Sequence, residues 1–148
     1  MKMIQLGAIQ ISSYTNKSRL FSDWRYEEYD EYKKQITKYD PKEEILPKNT
    51  IFTLKIDYPL TIPFKKKFNT STNLITRRQI INFIVKCYKQ VYKEENSSSS
   101  RKESFIPGMF NRMPSEGKYG IWGHVLEDLV LVDMFINKNK IISLGVDS

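Results

Sequence analysis

The sequence predicts an α+β domain in which an antiparallel sheet of about four to five strands carries one main helix, about residues 76–95, on one face. Three observations predict this class. They are apolar alternation over 52–64, an amphipathic helical pattern directly after it, and two apolar segments, 129–136 and 141–146, separated by a short polar turn. Strands joined by hairpins with one dominant helix favour an antiparallel sheet covered on one face. The length of 148 residues fits a single domain.

The amino-terminal segment 2–11 predicts a first strand. Gln5 and Gln10 interrupt its apolar residues, which argues against a signal peptide. Residues 13–49 are predicted to be an arm or excursion from the domain. Within this arm, 20–36 is acidic, rich in tyrosine and only imperfectly periodic as a helix.

The best strand pattern covers 52–64, where every even position is apolar. Strict alternation indicates one buried face and one solvated face. Pro59 and Pro63 cannot donate hydrogen bonds to a neighbouring strand. The segment is therefore either an edge strand that bends or two segments that share a face.

The best helix pattern begins at Thr76. Thr76 and Gln79 fit a capping box, and Ile75 and Ile80 occupy the positions of a hydrophobic staple. The predicted buried face consists of Ile80, Ile81, Ile84, Val85, Tyr88, Val91 and Tyr92.

The remaining elements follow from short local signals. Residues 96–104 are predicted to form a flexible polar loop. The strand over 129–136 is predicted to return through a turn at 137–140, where asparagine tolerates a positive φ. Cys87 has no partner for an internal disulfide, and its helical position predicts a small, partly buried apolar side chain rather than a nucleophile.

The positive charge is concentrated in one part of the chain. The net charge is +7, and residues 65–102 hold ten basic side chains against two acidic ones. Cations beside a helix N-terminus can form an anion site, which predicts binding of a phosphate group or nucleic acid. The alternative is that they point into solvent or pair with the acidic arm. The predicted ligand-binding residues are Lys65, Lys66, Lys67, Arg77 and Arg78.

A glycine-punctuated aromatic segment, 117–129, is the second candidate region. Gly120 and Gly123 predict turns that only glycine tolerates well. Tyr119 and Trp122 are predicted either to form a stacking platform for a ligand or to anchor the core.

His124 is the only histidine, and Glu127 and Asp128 follow it closely. A histidine oriented by a carboxylate can perform general acid–base catalysis, so these three are the candidate catalytic residues. The alternative is that His124 hydrogen-bonds within its own turn. The spacing matches no zinc or calcium signature, and no metal or cofactor is expected.

The segment 111–129, which contains the sequence YGIWGHVLEDL, resembles uncharacterised proteins of large double-stranded DNA viruses. The resemblance implies a viral protein located inside the host cell, in the cytoplasm or the virion. It implies no reaction and no catalytic residue.

Three functional hypotheses follow. The first is a non-enzymatic protein-interaction or structural domain, in which 13–49 and 108–124 contact a protein partner or a second copy of the chain. The second is a binder of nucleic acid or a phosphate ligand through the basic residues at 65–78. The third is a small enzyme that uses His124 with Glu127 or Asp128. No segment is apolar enough to predict a membrane span.

Overall fold

The computed structural model describes residues 2–15, 17–18, 39–71, 73–99 and 115–148. Within these residues, five strands form one sheet that packs against one α-helix. The expected α+β class is confirmed. The strands are β1 (Lys2–Gln10), β2 (Ile51–Ile56), β3 (Phe64–Asn69), β4 (Val130–Ile136) and β5 (Ile141–Asp147), and the helix is α1 (Arg77–Ser98).

Most of the predicted arm lies outside the described residues, as does the part of the predicted loop that follows Ser99. The described end of the arm, 39–49, returns to the domain. Its backbone contacts the start of α1, where Ile45 N donates to Ile75 O at 2.7 Å. No helix of the described residues is long and apolar enough to cross a membrane.

The order of the strands across the sheet is β1, β4, β5, β2, β3. β5 pairs with β2 in parallel, whereas the other pairings among the described strands are antiparallel. The sheet is therefore mixed and mostly antiparallel. The parallel pair arises because β5 returns from β4 by a hairpin and then lies beside a strand that runs in its own direction.

The alternating segment 52–64 forms two strands rather than one. β2 ends at Ile56, the chain turns through 57–63, and β3 begins at Phe64. Of the two predicted alternatives, two segments that share a face is the correct one. The shared buried residues are Phe52, Leu54, Ile56, Leu60 and Phe64.

The alternation fails at Ile62, which is 57% exposed. The turn contains Pro59 and Pro63, which lack the amide hydrogen that a continuous strand needs. The turn pairs instead with the glycine-punctuated segment 117–129, through an isolated bridge between Leu60 and Ile121. The Tyr58–Pro59 peptide bond in this turn is cis.

The start of α1 agrees with its local sequence signal. Thr76 and Gln79 form the predicted capping box, and every residue of the predicted apolar face is buried. The helix continues to Ser98, so the first residues of the predicted 96–104 loop are helical. The hydroxyls of Ser97 and Ser98 donate to the carbonyl of Glu94, which satisfies an acceptor in the last turn.

The turn between β4 and β5 uses its asparagine differently from the prediction. Asn137 Oδ1 accepts from the backbone amides of Asn139 at 2.8 Å and Ile141 at 3.0 Å. The residue with positive φ is Lys140, at 60°. The side chain of Asn137 therefore shapes the turn, as short polar side chains do in such turns.

Arg77 joins three parts of the fold at the start of α1. Its side chain is 6% exposed. Nε donates to Gln5 O of β1 at 3.0 Å, and Nη1 donates to Asp40 O at 2.9 Å and to Glu43 Oε1 at 2.5 Å. The helix dipole disfavours a cation in the first turn, and these three acceptors offset that cost.

Replacing Arg77→Met should lower the free energy of unfolding by about 2–4 kcal/mol, because buried carbonyl acceptors lose their donor. Urea denaturation followed by circular dichroism measures the change. Lys93→Met on the exposed side of the same helix is the control and should change stability by less than about 0.5 kcal/mol. Equal losses in the two variants would contradict the assigned role of Arg77.

Candidate functional site

Glu95 is the charged residue that holds residues 115–120 in place, at the start of the glycine-punctuated segment. It is fully buried near the end of α1. Oε1 accepts from the amides of Tyr119 at 2.7 Å and Gly120 at 3.2 Å. Oε2 accepts from Ser115 Oγ at 2.6 Å and the amide of Gly117 at 2.7 Å. One carboxylate therefore binds four donors of the segment 115–120.

Burial alone raises the pKa of Glu95, but the hydrogen bonds from Ser115, Tyr119, Gly117 and Gly120 together hold it below its ordinary value of 4.5. Gly117 is required by this close approach, since a Cβ there would lie 2.7 Å from Glu95 Cδ. The predicted turns are confirmed, because φ is 68° at Gly120 and 82° at Gly123.

The structure separates the two aromatic residues predicted to act together. Tyr119 is 5% exposed, and its ring packs edge-on against Phe64 at a centroid distance of 6.1 Å. Trp122 is 50% exposed. The bridge between Leu60 and Ile121 explains the difference, because Ile121 faces the core and its neighbour Trp122 then faces outward. Exposed aromatic residues are enriched at protein interfaces, and the protein-interaction hypothesis stays a prediction.

The side chains of His124 and Asp128 lie together. His124 Nδ1 is 3.3 Å from Asp128 Oδ2, and the same oxygen accepts from the amide of Val125 at 3.2 Å. The ring of Tyr58 lies 5.7 Å from the His124 ring. Glu127 is exposed. The contact between His124 and Asp128 fits either a catalytic pair or a hydrogen bond within one turn, so the enzyme hypothesis stays a prediction.

Within the described residues, no three histidine, cysteine or acidic side chains lie close enough to hold a metal ion. Cys87 is buried, and burial raises the pKa of its thiol to about 11. Its thiol is therefore protonated at neutral pH and poorly nucleophilic.

The five predicted basic residues do not form one patch. Arg77 is buried against protein acceptors, and Arg78 Nη2 donates to Ser18 O at 2.6 Å. Lys66 lies on the helix side of β3, with Nζ 5.8 Å from the centre of the Phe83 ring on α1. Lys65 and Lys67 flank Lys66 on the strand and therefore point to the opposite face of the sheet.

We call the side of the sheet that faces away from α1 the second face. It carries a groove with a volume of about 420 Å³, which we call the sheet groove. Its lining comes from four strands and the turns that follow them. The lining residues are Thr53, Lys55, Asp57, Lys65, Phe135, Asn137, Ile141 and Ser143.

The strand register places two lysines at one end of the sheet groove and an aromatic ring at the other. Lys55 of β2 pairs across from Lys65 of β3, and Phe135 of β4 pairs across from Ser143 of β5. Because β5 lies between β4 and β2, the backbones at Phe135 and Lys55 are separated by about 10 Å, two strand spacings. Lys65 was predicted as a ligand-binding residue, whereas Lys55 and Phe135 were not.

No protein-family model, curated protein or solved structure matches this chain. The resemblance of 111–129 to viral proteins therefore stays a prediction. The assignment of function depends on the site geometry.

Replacing Glu95→Gln should lower the free energy of unfolding by about 2–3 kcal/mol. The reason is that the glutamine NH₂ group replaces one carboxylate oxygen and cannot accept the two hydrogen bonds that this oxygen received. The amides of Gly117, Tyr119 and Gly120 should exchange with solvent faster than in the wild type. Hydrogen exchange and urea denaturation measure the two effects. Glu94→Gln is the control and should cost less than about 1 kcal/mol, because this more exposed carboxylate binds the side chains of Lys118 and Tyr119 at the surface. Similar losses in both variants would contradict the model of a single organising carboxylate.

The wild type and Glu95→Gln should also differ in how their stability depends on pH. Because the folded-state pKa of Glu95 is lowered, its contribution to stability is fully present above the ordinary value of 4.5. It is lost as the pH falls through the folded-state pKa. The stability difference between the wild type and Glu95→Gln should therefore shrink below pH 4.5 and be constant from pH 6 to 8. Urea titrations across this range measure it, and a difference independent of pH throughout would be the contrary result.

Proposed function

We propose that this protein is a non-enzymatic domain that binds single-stranded nucleic acid across the second face of its sheet. The observation that carries the proposal is the sheet groove, in which Lys55 and Lys65 lie opposite Phe135. Cationic and aromatic side chains together are what single strands require, since phosphates pair with the former and bases stack on the latter.

The lysines supply the phosphate contacts. Lys65 is exposed, and Lys55 forms an ion pair with Asp57 at 3.6 Å. The side chains of this pair are 35% and 53% exposed. Exposed pairs of this kind contribute little, so a phosphate group can compete with Asp57 for Lys55.

The lysines of the second face extend beyond the sheet groove, which favours a nucleic-acid strand over a single nucleotide as the ligand. Lys67 pairs across from Thr53, a residue of the groove lining, but does not itself line the groove. It lies on the same face as Lys65, further along β3. A groove of about 420 Å³ has the size of a small-ligand pocket, and Lys67 is placed to contact the next phosphate.

Phe135 supplies the stacking surface. It is partly exposed on β4, the strand that lies between β1 and β5. Aromatic rings on an exposed sheet face stack unpaired bases in single-strand recognition, whereas the stacked bases of a duplex are not available to them. The geometry therefore favours single strands over duplexes.

The triple variant Lys55→Gln, Lys65→Gln and Lys67→Gln should bind a labelled single-stranded oligonucleotide at least about tenfold more weakly than the wild type. The slope of log affinity against log salt should fall by about 2, since each lost phosphate contact in a single strand removes about 0.7. Fluorescence anisotropy over a salt series measures both quantities.

The control is the triple variant Lys86→Gln, Lys89→Gln and Lys93→Gln. It removes the same charge from the exposed side of α1, away from the second face. It should weaken binding only slightly. Equal weakening in both triple variants, or the absence of salt-dependent binding in the wild type, would overturn the proposal.

A further inference from the structure

Asp133 is a carboxylate on the second face that has no partner among the described residues. It lies on β4, across from Gln5 of β1 and Gly145 of β5. Its carboxylate lies over the backbone of Gly145, where any Cβ would overlap it. Among the described residues, none forms a hydrogen bond or ion pair with this carboxylate.

The Asp133 carboxylate is partly shielded from water. Asp133 is only partly exposed, and burial raises its pKa above the ordinary value of 3.8. The accessible part of the carboxylate can bind water, and an N–H donor of a ligand can take the place of that water. A ligand that supplies an N–H donor would satisfy Asp133.

Asp133 lies beside the stacking residue of the sheet groove. Met134, between Asp133 and Phe135 in sequence, is fully buried, so its two neighbours both point to the second face. Side chains spaced in this way along a strand are about 7 Å apart. A base stacked on Phe135 would therefore have one edge within reach of Asp133, on the β4 side of the groove and away from Lys55 and Lys65.

We infer that Asp133 selects among bases, by accepting a hydrogen bond from the amino group of a base stacked on Phe135. This inference rests on the proposed binding of single strands. Cytosine and thymine provide the sharpest contrast, since both are pyrimidines and cytosine carries an amino donor where thymine carries a carbonyl acceptor. A carboxylate that faces the 4-position of the base attracts the amino group of cytosine and repels the carbonyl group of thymine. The surface therefore prefers cytosine to thymine.

The test compares oligo(dC) with oligo(dT) of equal length by fluorescence anisotropy at pH 8, where cytosine is unprotonated. The wild type should prefer oligo(dC) by about tenfold. Asp133→Asn should reduce this preference to about twofold or less, because an amide can turn either its donor or its acceptor to the base. Asp133→Ser, which removes the carboxylate and leaves a smaller side chain, should do the same.

The ratio of the two affinities is the decisive quantity, since the loss of a negative charge strengthens binding of both oligonucleotides together. Asp147→Asn, at the end of β5, is the matched control for charge and should leave the ratio unchanged. Equal affinities in the wild type, or an unaltered ratio in both Asp133 variants, would overturn the role of Asp133 and leave the proposed function standing. Failure of the wild type to bind either oligonucleotide would overturn both.

Discussion

The packing of α1 against one face of the sheet sorts the side chains of the strands by their position. In β2, Phe52, Leu54 and Ile56 point to the helix and are buried, whereas Thr53 and Lys55 point to the second face. A shift of the register by one residue would place the charged side chains under the helix and the apolar ones in water. The burial of one apolar layer therefore determines the chemical character of the other face.

The start of α1 was predictable because its signals are local. The capping box of Thr76 and Gln79 and the apolar stripe lie within a few turns of one helix, so no distant contact was needed to recognise them. The hairpin of β4 and β5 was predictable for the same reason. The alternation over 52–64 correctly indicated one shared buried face, but it could not locate the turn, because residues in a turn can continue the same pattern.

The candidate site was less predictable, because its residues come from distant parts of the chain. Lys55 and Phe135 line one groove only because β2 pairs with β5 and β5 pairs with β4. The pairing of β2 with β5 joins distant segments and cannot be recognised from the local sequence. Two signals were nevertheless present. Glu95 continues the buried stripe of α1, four residues after Val91, and Asp133 interrupts an otherwise apolar strand. A charged residue within an otherwise apolar stripe or strand indicates either a buried hydrogen-bond network or a site.

The central position of β5 has a consequence for the order in which the chain folds. β5 lies between β4 and β2, so without it the strands form two separate pairs, β1 with β4 and β2 with β3. It is also the last of the five to leave the ribosome. The two pairs can form one continuous sheet only after synthesis of β5, and until then both expose edges that other chains can pair with.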